Sequence, residues 1–215
     1  MKRAAPYIIL TLILAAVVYA WYRYGFLRKP DRNTPYDDSL FISPANGTII
    51  AIRPYGQSTF IETKDAPECD RGAMQILTGD VAGSGTVITI RLDLDDVHYQ
   101  RAPTSGVVVH SRYTSGKHEP IYATGEAEPR HQNEHNEILF TDTHGNNYKV
   151  VQIAGFIARS IKAMVTPGQW VEQGQIIGCI EIGSQVTIIL PPEINVTATV
   201  GDYVIDGETV LGAIL

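Results

Sequence analysis

A glycine–serine pair, Gly183-Ser184, lies between the strand-like runs IIGCIE and VTIILP, where covalent chemistry could begin. A serine hydroxyl becomes a nucleophile when a neighbouring base withdraws its proton, although most Gly-Ser pairs of this kind only close a turn. A second constellation is Asp96-Val-His98-Tyr-Gln-Arg101-Ala-Pro103. Imidazole titrates near neutral pH, so His98 is a candidate general acid or base. By position alone a surface histidine at a strand end is the slightly favoured reading. Arg101 carries a planar fork that fits phosphate or carboxylate, or simply pairs with an acidic neighbour. His131 and His135 stand four apart, but their surroundings, EPRHQNEHNE, supply no clear third ligand. That pair reads as solvated, and no metal is expected. No G-x-S-x-G, P-loop or G-x-G-x-x-G occurs, which sets aside the serine-hydrolase and nucleotide readings.

The elements that must hold these residues are short and β-rich. GTIIAIR, GTVITIRLDL, GVVVHSRY, EILFTD, YKVVQIAGFI, QVTIILP and NVTATV are dominated by Val, Ile, Thr and Tyr. Alternation over residues 86–94 and the NG, SG, GN and DG punctuation favour a sandwich or barrel. A helix is expected only over residues 65–77. One internal repeat is present: Gly168-Gln-Trp-Val-Glu-Gln-Gly174 matches Gly201-Asp-Tyr-Val-Ile-Asp-Gly207, 33 residues later. The spacing resembles the glycine turns of lipoyl and biotinyl domains, so the fold expected is mainly β, with a core like a barrel-sandwich hybrid. Lys162-Ala-Met164 lies too near the Gly168 turn to be a biotinylated hairpin tip.

Residues 4–22 carry no charge, and a helix of about 20 apolar residues crosses a bilayer. Tyr7, Trp21 and Tyr22 stand at its ends, where amphipathic rings favour the headgroups. No small-x-small cleavage site precedes Trp21, so the segment reads as a retained transmembrane anchor and not a cleaved signal. Arg23, Arg28, Lys29 and Arg32 follow it, against Lys2, Arg3 and the α-amino group before it, which places the remainder on the cytoplasmic side. The division expected is an anchor over 1–25, a basic juxtamembrane connector over 26–42, and one domain over 43–215. The connector's cations either lie against anionic headgroups or are solvated. A formal net charge of −6 over 215 residues argues against a nucleic-acid partner. Cys69 and Cys179 are far apart and outside any CxxC, and read as free thiols.

Six blocks, in order, carry a resemblance. They are RYGFLRKPDRNTP; Phe41-Ile-Ser-Pro-Ala-Asn-Gly47; Asp96-Val-His98-Tyr-Gln-Arg101-Ala-Pro103 with Ser105-Gly106; Gln132-Asn-Glu-His135; Val150-Val-Gln-Ile-Ala-Gly155 with Ala158-Arg159; and Ile182-Gly-Ser-Gln-Val. Together they resemble the short, membrane-anchored phosphatidylserine decarboxylases over almost the whole chain. The resemblance implies that Ser184 attacks the carbonyl of Gly183. The chain would then part into a β chain of residues 1–183 and an associated α chain of residues 184–215, whose first residue becomes a pyruvoyl group. That cofactor would form a Schiff base with the serine headgroup and accept electrons as CO2 leaves. It implies His98 as acid or base, with Asn46, Asp96 and Arg101 in support, and a membrane phospholipid as substrate. Asn46 departs from the pattern, which has aspartate there; amide cannot accept a proton as carboxylate does. Asp93, Asp95 or Asp96 could supply that charge.

Three alternatives stay open: an archaetidylserine-type substrate, a decarboxylase-like chain left unprocessed, and a lipoyl-like membrane-tethered binding module. A homodimer is admitted but not specified by the sequence.

Overall fold

The computed structural model describes residues 5–56, 77–120, 130–155, 160–181 and 184–215. Helix α1 (Ala5–Ala20) passes directly into a π-helical turn, Trp21–Phe26, in which the Leu27 N–H reaches back to the Tyr22 carbonyl at 3.0 Å. Tyr7–Phe26 is long and apolar enough to cross a membrane, and its large side chains from Tyr7 to Tyr19 stand exposed. The expected anchor is thus an isolated apolar helix up to its last turn, which docks on the β domain through Phe26.

Fourteen strands follow among the described residues. Eight form one curled antiparallel sheet. In spatial order these are β13 (Tyr203–Val204), β2 (Gly47–Gly56), β3 (Ser84–Leu92), β11 (Ser184–Leu190), β7 (Asn147–Ala154), β6 (His135–Asp142), β5 (Gly106–Thr114) and β9 (Trp170–Val171). Two three-stranded sheets pack with it. One orders β1 (Leu40–Ile42), β14 (Val210–Ile214) and β12 (Ile194–Val196). The other orders β4 (Tyr99–Arg101), β10 (Ile176–Glu181) and β8 (Ser160–Ala163). The mainly β expectation holds. The helix expected over 65–77 lies, except for Leu77, outside the described residues.

Alternation sorts the two faces of the curled sheet, because successive strand residues point opposite ways. Ile88, Ile90, Ile138, Val150, Val186 and Ile188 join the large inner core. Val87, Leu139, Val151, Ile153 and Ile189 pack a smaller outer cluster beneath Leu77 and Val81. Lys149 is wholly buried on that outer side, its Nζ 2.6 Å from both Glu137 Oε2 and Asp80 Oδ1. A buried ammonium is tolerable only when so paired.

The glycine repeat is one part of a larger internal pseudo-symmetry. Gly168, Gly174, Gly201 and Gly207 all have φ between 76° and 98°, the left-handed region that L side chains resist. The two copies supply β9 and β13, the two opposite ends of the curled sheet. Val108 and Ile49 meet them equivalently: Gly168 N–H bonds the Val108 carbonyl, and Gly201 N–H bonds that of Ile49. Each partner strand carries a bulge at the next residue, Val109 in β5 and Ile50 in β2. The relation extends to Ser43-Pro-Ala-Asn46-Gly47 and Ala102-Pro-Thr-Ser105-Gly106, a match the sequence reading passed over.

Candidate active site

Ser184 opens β11, a seven-residue strand buried along its whole length. It pairs Leu92 of β3 on one side and Ala154 of β7 on the other. Directly opposed residues share a face, so its side chain belongs with Leu92 and Val186 on the inner side. Its Oγ is buried and has no hydrogen-bond partner among the described residues. Gly183, the other half of the expected cleavage site, lies outside the described residues, as do Ala158 and Arg159.

His98 immediately precedes β4 and is fully buried. β4 pairs β10, and the His98 carbonyl accepts the Ile180 N–H at 3.1 Å, four residues before Ser184. Its Nδ1 lies 3.0 Å from the Asp96 carbonyl oxygen. A carbonyl only accepts, so Nδ1 carries the hydrogen and Nε2 carries a lone pair. That Nε2 is also buried and without a partner among the described residues. Burial lowers the imidazole pKa below its ordinary 6.5, and the Arg28 charge adds to this, while Asp96 opposes it. The ring of Phe26 covers the imidazole, with centroids 3.9 Å apart. His98 is therefore a fully buried imidazole that burial biases toward its neutral form, with Nε2 open as an acceptor. The surface reading of this histidine does not hold.

Ser184 Oγ and His98 Nε2 are two of nine buried side-chain polar atoms left unsatisfied among the described residues, and they stand out because they fall on neighbouring stretches of chain and in the motifs singled out above. They also suit an implied group built from Ser184 itself, since no described residue competes for that oxygen. An amide relay braces this place: Ser111 Oγ donates to Asn136, Asn136 to Gln152, Gln152 to Gln100 and Gln100 to the His98 carbonyl, over 2.7–3.2 Å. A Cβ at residue 178 would come within 2.4 Å of the Gln152 amide, so glycine is required there.

The supporting residues lie along a second network. Arg101 Nε donates to Asp206 Oδ2 at 2.8 Å, and its two terminal nitrogens bond the carbonyls of Gly174 and Pro30. Of its two readings, pairing with an acidic neighbour is the one realised. Arg32 also pairs Asp206, so this connector cation turns into the domain and not toward lipid. Asn46 Oδ1 accepts the Asp206 N–H at 2.9 Å and Arg32 at 3.1 Å, and its Nδ2 donates to Tyr203 Oη at 3.3 Å. Ser105, its counterpart in the pseudo-symmetry, accepts the Gln173 N–H at 3.2 Å in the same way. Asn46 is thus a turn clamp. Tyr203 in turn donates to Asp96 Oδ1 at 2.5 Å, which links the clamp to the segment that fixes His98.

His131 and His135 correct an expectation. Both are buried, not solvated, with 2% and 9% of their surface exposed. His131 Nε2 lies 3.4 Å from Thr187 Oγ1, and His135 Nδ1 lies 2.7 Å from the Asn133 carbonyl. Among the described residues no group of three or more His, Cys, Asp or Glu could hold a metal ion. Cys179 is a free thiol in β10, pushed by burial up to about 11 and so unreactive. Cys69 lies outside the described residues. Asp206 and Tyr203 stood in the glycine repeat but were read there only as architecture. Gln100 and Gln152 lie inside quoted motifs without distinction, and nothing in their local sequence marks them.

The phosphatidylserine decarboxylase family profile matches residues 20–212. The chain belongs to that family. It is 35% identical, over 96% of its own length and 85% of the relative's, to the phosphatidylserine decarboxylase proenzyme of Desulfotalea psychrophila. It is 32% identical to the protein of the same name from Chlorobaculum parvum, over 94% of this chain and 82% of that one. It is 36% identical, over 86% and 78%, to a protein of Methanothermobacter thermautotrophicus provisionally named archaetidylserine decarboxylase proenzyme. This family member is accordingly an enzyme of the decarboxylase class, and the binding-module alternative lapses.

Proposed function

We propose that the chain is a proenzyme that cuts itself before Ser184 and then decarboxylates phosphatidylserine to phosphatidylethanolamine, with its β domain on the cytoplasmic side. The observation that carries this reading is the buried pair of unpartnered atoms, Ser184 Oγ and His98 Nε2, inside a chain of this family. In the first stage the His98 lone pair takes the Ser184 hydroxyl proton and the oxygen adds to the carbonyl carbon of Gly183. The Gly183–Ser184 C–N bond breaks and an ester forms. Loss of the residue-184 α-proton then expels the Gly183 carboxylate, and addition of water releases ammonia. Burial matters because water entering early would hydrolyse the ester and return an ordinary serine.

The pyruvoyl group so formed supplies an electrophilic carbonyl for the substrate amine and a sink for the electron pair released with CO2. His98 remains a neutral group able to hold or return a proton at Nε2. Asp96 acts as a positioning residue: its carbonyl sets the tautomer, and its carboxylate holds Tyr203 and the Asp93 N–H. It supports His98 without requiring an aspartate at Asn46. The division into 1–183 and 184–215 keeps both products paired through β11, which β3 and β7 grip on either side. An ether-lipid substrate with the same serine headgroup is the second reading, favoured by the 36% identity to the archaeal relative.

Intact mass of freshly purified protein tests the proposal. Expected are one species ending at Gly183 and a 32-residue chain opening with a pyruvoyl group. CO2 release from phosphatidylserine vesicles should accompany them, and Ser184→Ala should stay in one piece. A single wild-type chain that releases no CO2 would falsify the reading.

A further inference from the structure

At the foot of the apolar helix, Arg23, Tyr24, Leu27, Arg28, Lys29 and Tyr99 line a cavity of about 430 Å³. Its three cations have no carboxylate partner among the described residues, unlike the nearby Arg32 and Arg101. Arg28 donates to the backbone carbonyls of Gly25 and Asp95, which fixes its guanidinium against the domain. Lys29 Nζ lies 4.5 Å from the centre of the Tyr99 ring, and Arg23 lies 5.9 Å from that of Tyr24. A concave cluster of uncompensated positive charge attracts an anion, and guanidinium and ammonium groups favour phosphate oxygens.

Two positions narrow the ligand. The lining residues close the last turn of the Tyr7–Phe26 span and begin the segment after it. That is the depth at which lipid phosphates lie, just outside the hydrocarbon. The cavity also adjoins the candidate catalytic base: Tyr99 follows His98 in the chain, and Phe26, covering the imidazole, precedes Leu27. The volume falls within the usual range for a small-molecule site. We infer that this cavity is the subsite for the phosphodiester of the lipid substrate, with Arg28 and Lys29 as its principal contacts. The inference rests on the decarboxylase reading. The cations take the phosphate and not the serine carboxylate, because a salt bridge to the carboxylate would stabilise the ground state and oppose CO2 loss.

Binding to the full-length Ser184→Ala chain in nonionic detergent tests this without turnover, by calorimetry with monomeric dihexanoylphosphatidylserine. Arg28→Gln/Lys29→Gln should weaken binding about tenfold or more, the scale of a lost charge-assisted contact. Dihexanoylphosphatidylethanolamine, which keeps the phosphodiester and lacks only the serine carboxylate, should lose affinity to a similar extent. Lys29→Gln alone, which removes no hydrogen bond to the protein, should weaken both by a smaller factor, so that misfolding does not explain the result. Inorganic phosphate should bind at least about tenfold more weakly than either lipid. Unchanged affinity in both variants overturns the inference. A loss confined to the serine lipid would identify a carboxylate site, and equal binding of inorganic phosphate would identify a free-anion site; either also overturns it. A wild-type chain that processes itself while these affinities stay put removes only the subsite. An unprocessed, inactive wild type with the expected affinities removes the decarboxylase and leaves a phospholipid site.

Discussion

His98 owes its proposed role to one hydrogen bond and one ring. The Asp96 carbonyl fixes the hydrogen on Nδ1, and Phe26 covers a face of the imidazole. Desolvation penalises the imidazolium, so the folded pKa lies below 6.5 and the neutral base persists into mildly acid solution. The rate of self-processing should therefore be flat through neutral pH and fall only on an acid limb centred below 6.5. Phe26→Ala hydrates the ring, raises its pKa and should move that limb to higher pH, which quenched time courses read by mass would show. His98→Gln should slow processing by a factor of about 10²–10⁴, the usual contribution of a positioned acid or base. A limb near 6.5 in the wild type would mean that the imidazole is solvated, and one above 6.5 that Asp96 outweighs desolvation. At this scale the sequence singled out Ser184 and His98 by type and motif, but their burial and vacant partners depend on strands far away in the chain.

The pseudo-symmetric turns set the element scale. Asn46 and Ser105 occupy matching places, and each accepts the N–H of the residue before a left-handed glycine. Asn46→Ser should keep that acceptor, whereas Asn46→Ala leaves a buried N–H unmet, at about 1–3 kcal/mol. Urea unfolding of the Ser184→Ala chain should rank Asn46→Ser clearly above Asn46→Ala. Asp206 is more demanding, since it neutralises both Arg32 and Arg101. Asp206→Ala leaves two part-buried guanidiniums without their carboxylate and should remove about 3 kcal/mol by the same measurement. Were Arg101 instead free to bind substrate, stability would change little and substrate affinity would fall.

For the whole molecule, the apolar helix is attached to the domain at one place. Side chains from Tyr7 to Tyr19 are exposed, and among the described residues only the final π-helical turn meets the domain, where Phe26 is buried against His98. Removal of residues 1–20 should leave a chain that still cuts itself in detergent. Removal of residues 1–29 also takes away Phe26, Arg28 and Lys29, and should slow processing several-fold or more. Intact mass after fixed intervals separates the two truncations. If both behave alike, the docked turn has no part in the site. This attachment would give a membrane-anchoring helix a second use beyond localisation, because the turn that ends it also covers His98.

Composition and alternation alone determined that the chain is β-rich, because branched residues at period two can bury only one face of a pleated strand. Uncharged length determined the apolar helix, and paired glycine turns determined the repeat, since each depends on local sterics or local hydropathy. The ordered motifs pointed to Gly183-Ser184 and His98 before any contact was known. Tertiary structure decided the rest. It set Arg101 on Asp206, 105 residues away, and turned Asn46 from a suspected missing acid into a turn clamp. It buried His131 and His135 against expectation, and it brought Phe26 over His98 from 72 positions earlier in the sequence. Those outcomes are long-range pairings, and a side chain's type does not reveal which distant partner the sheet order will bring to it.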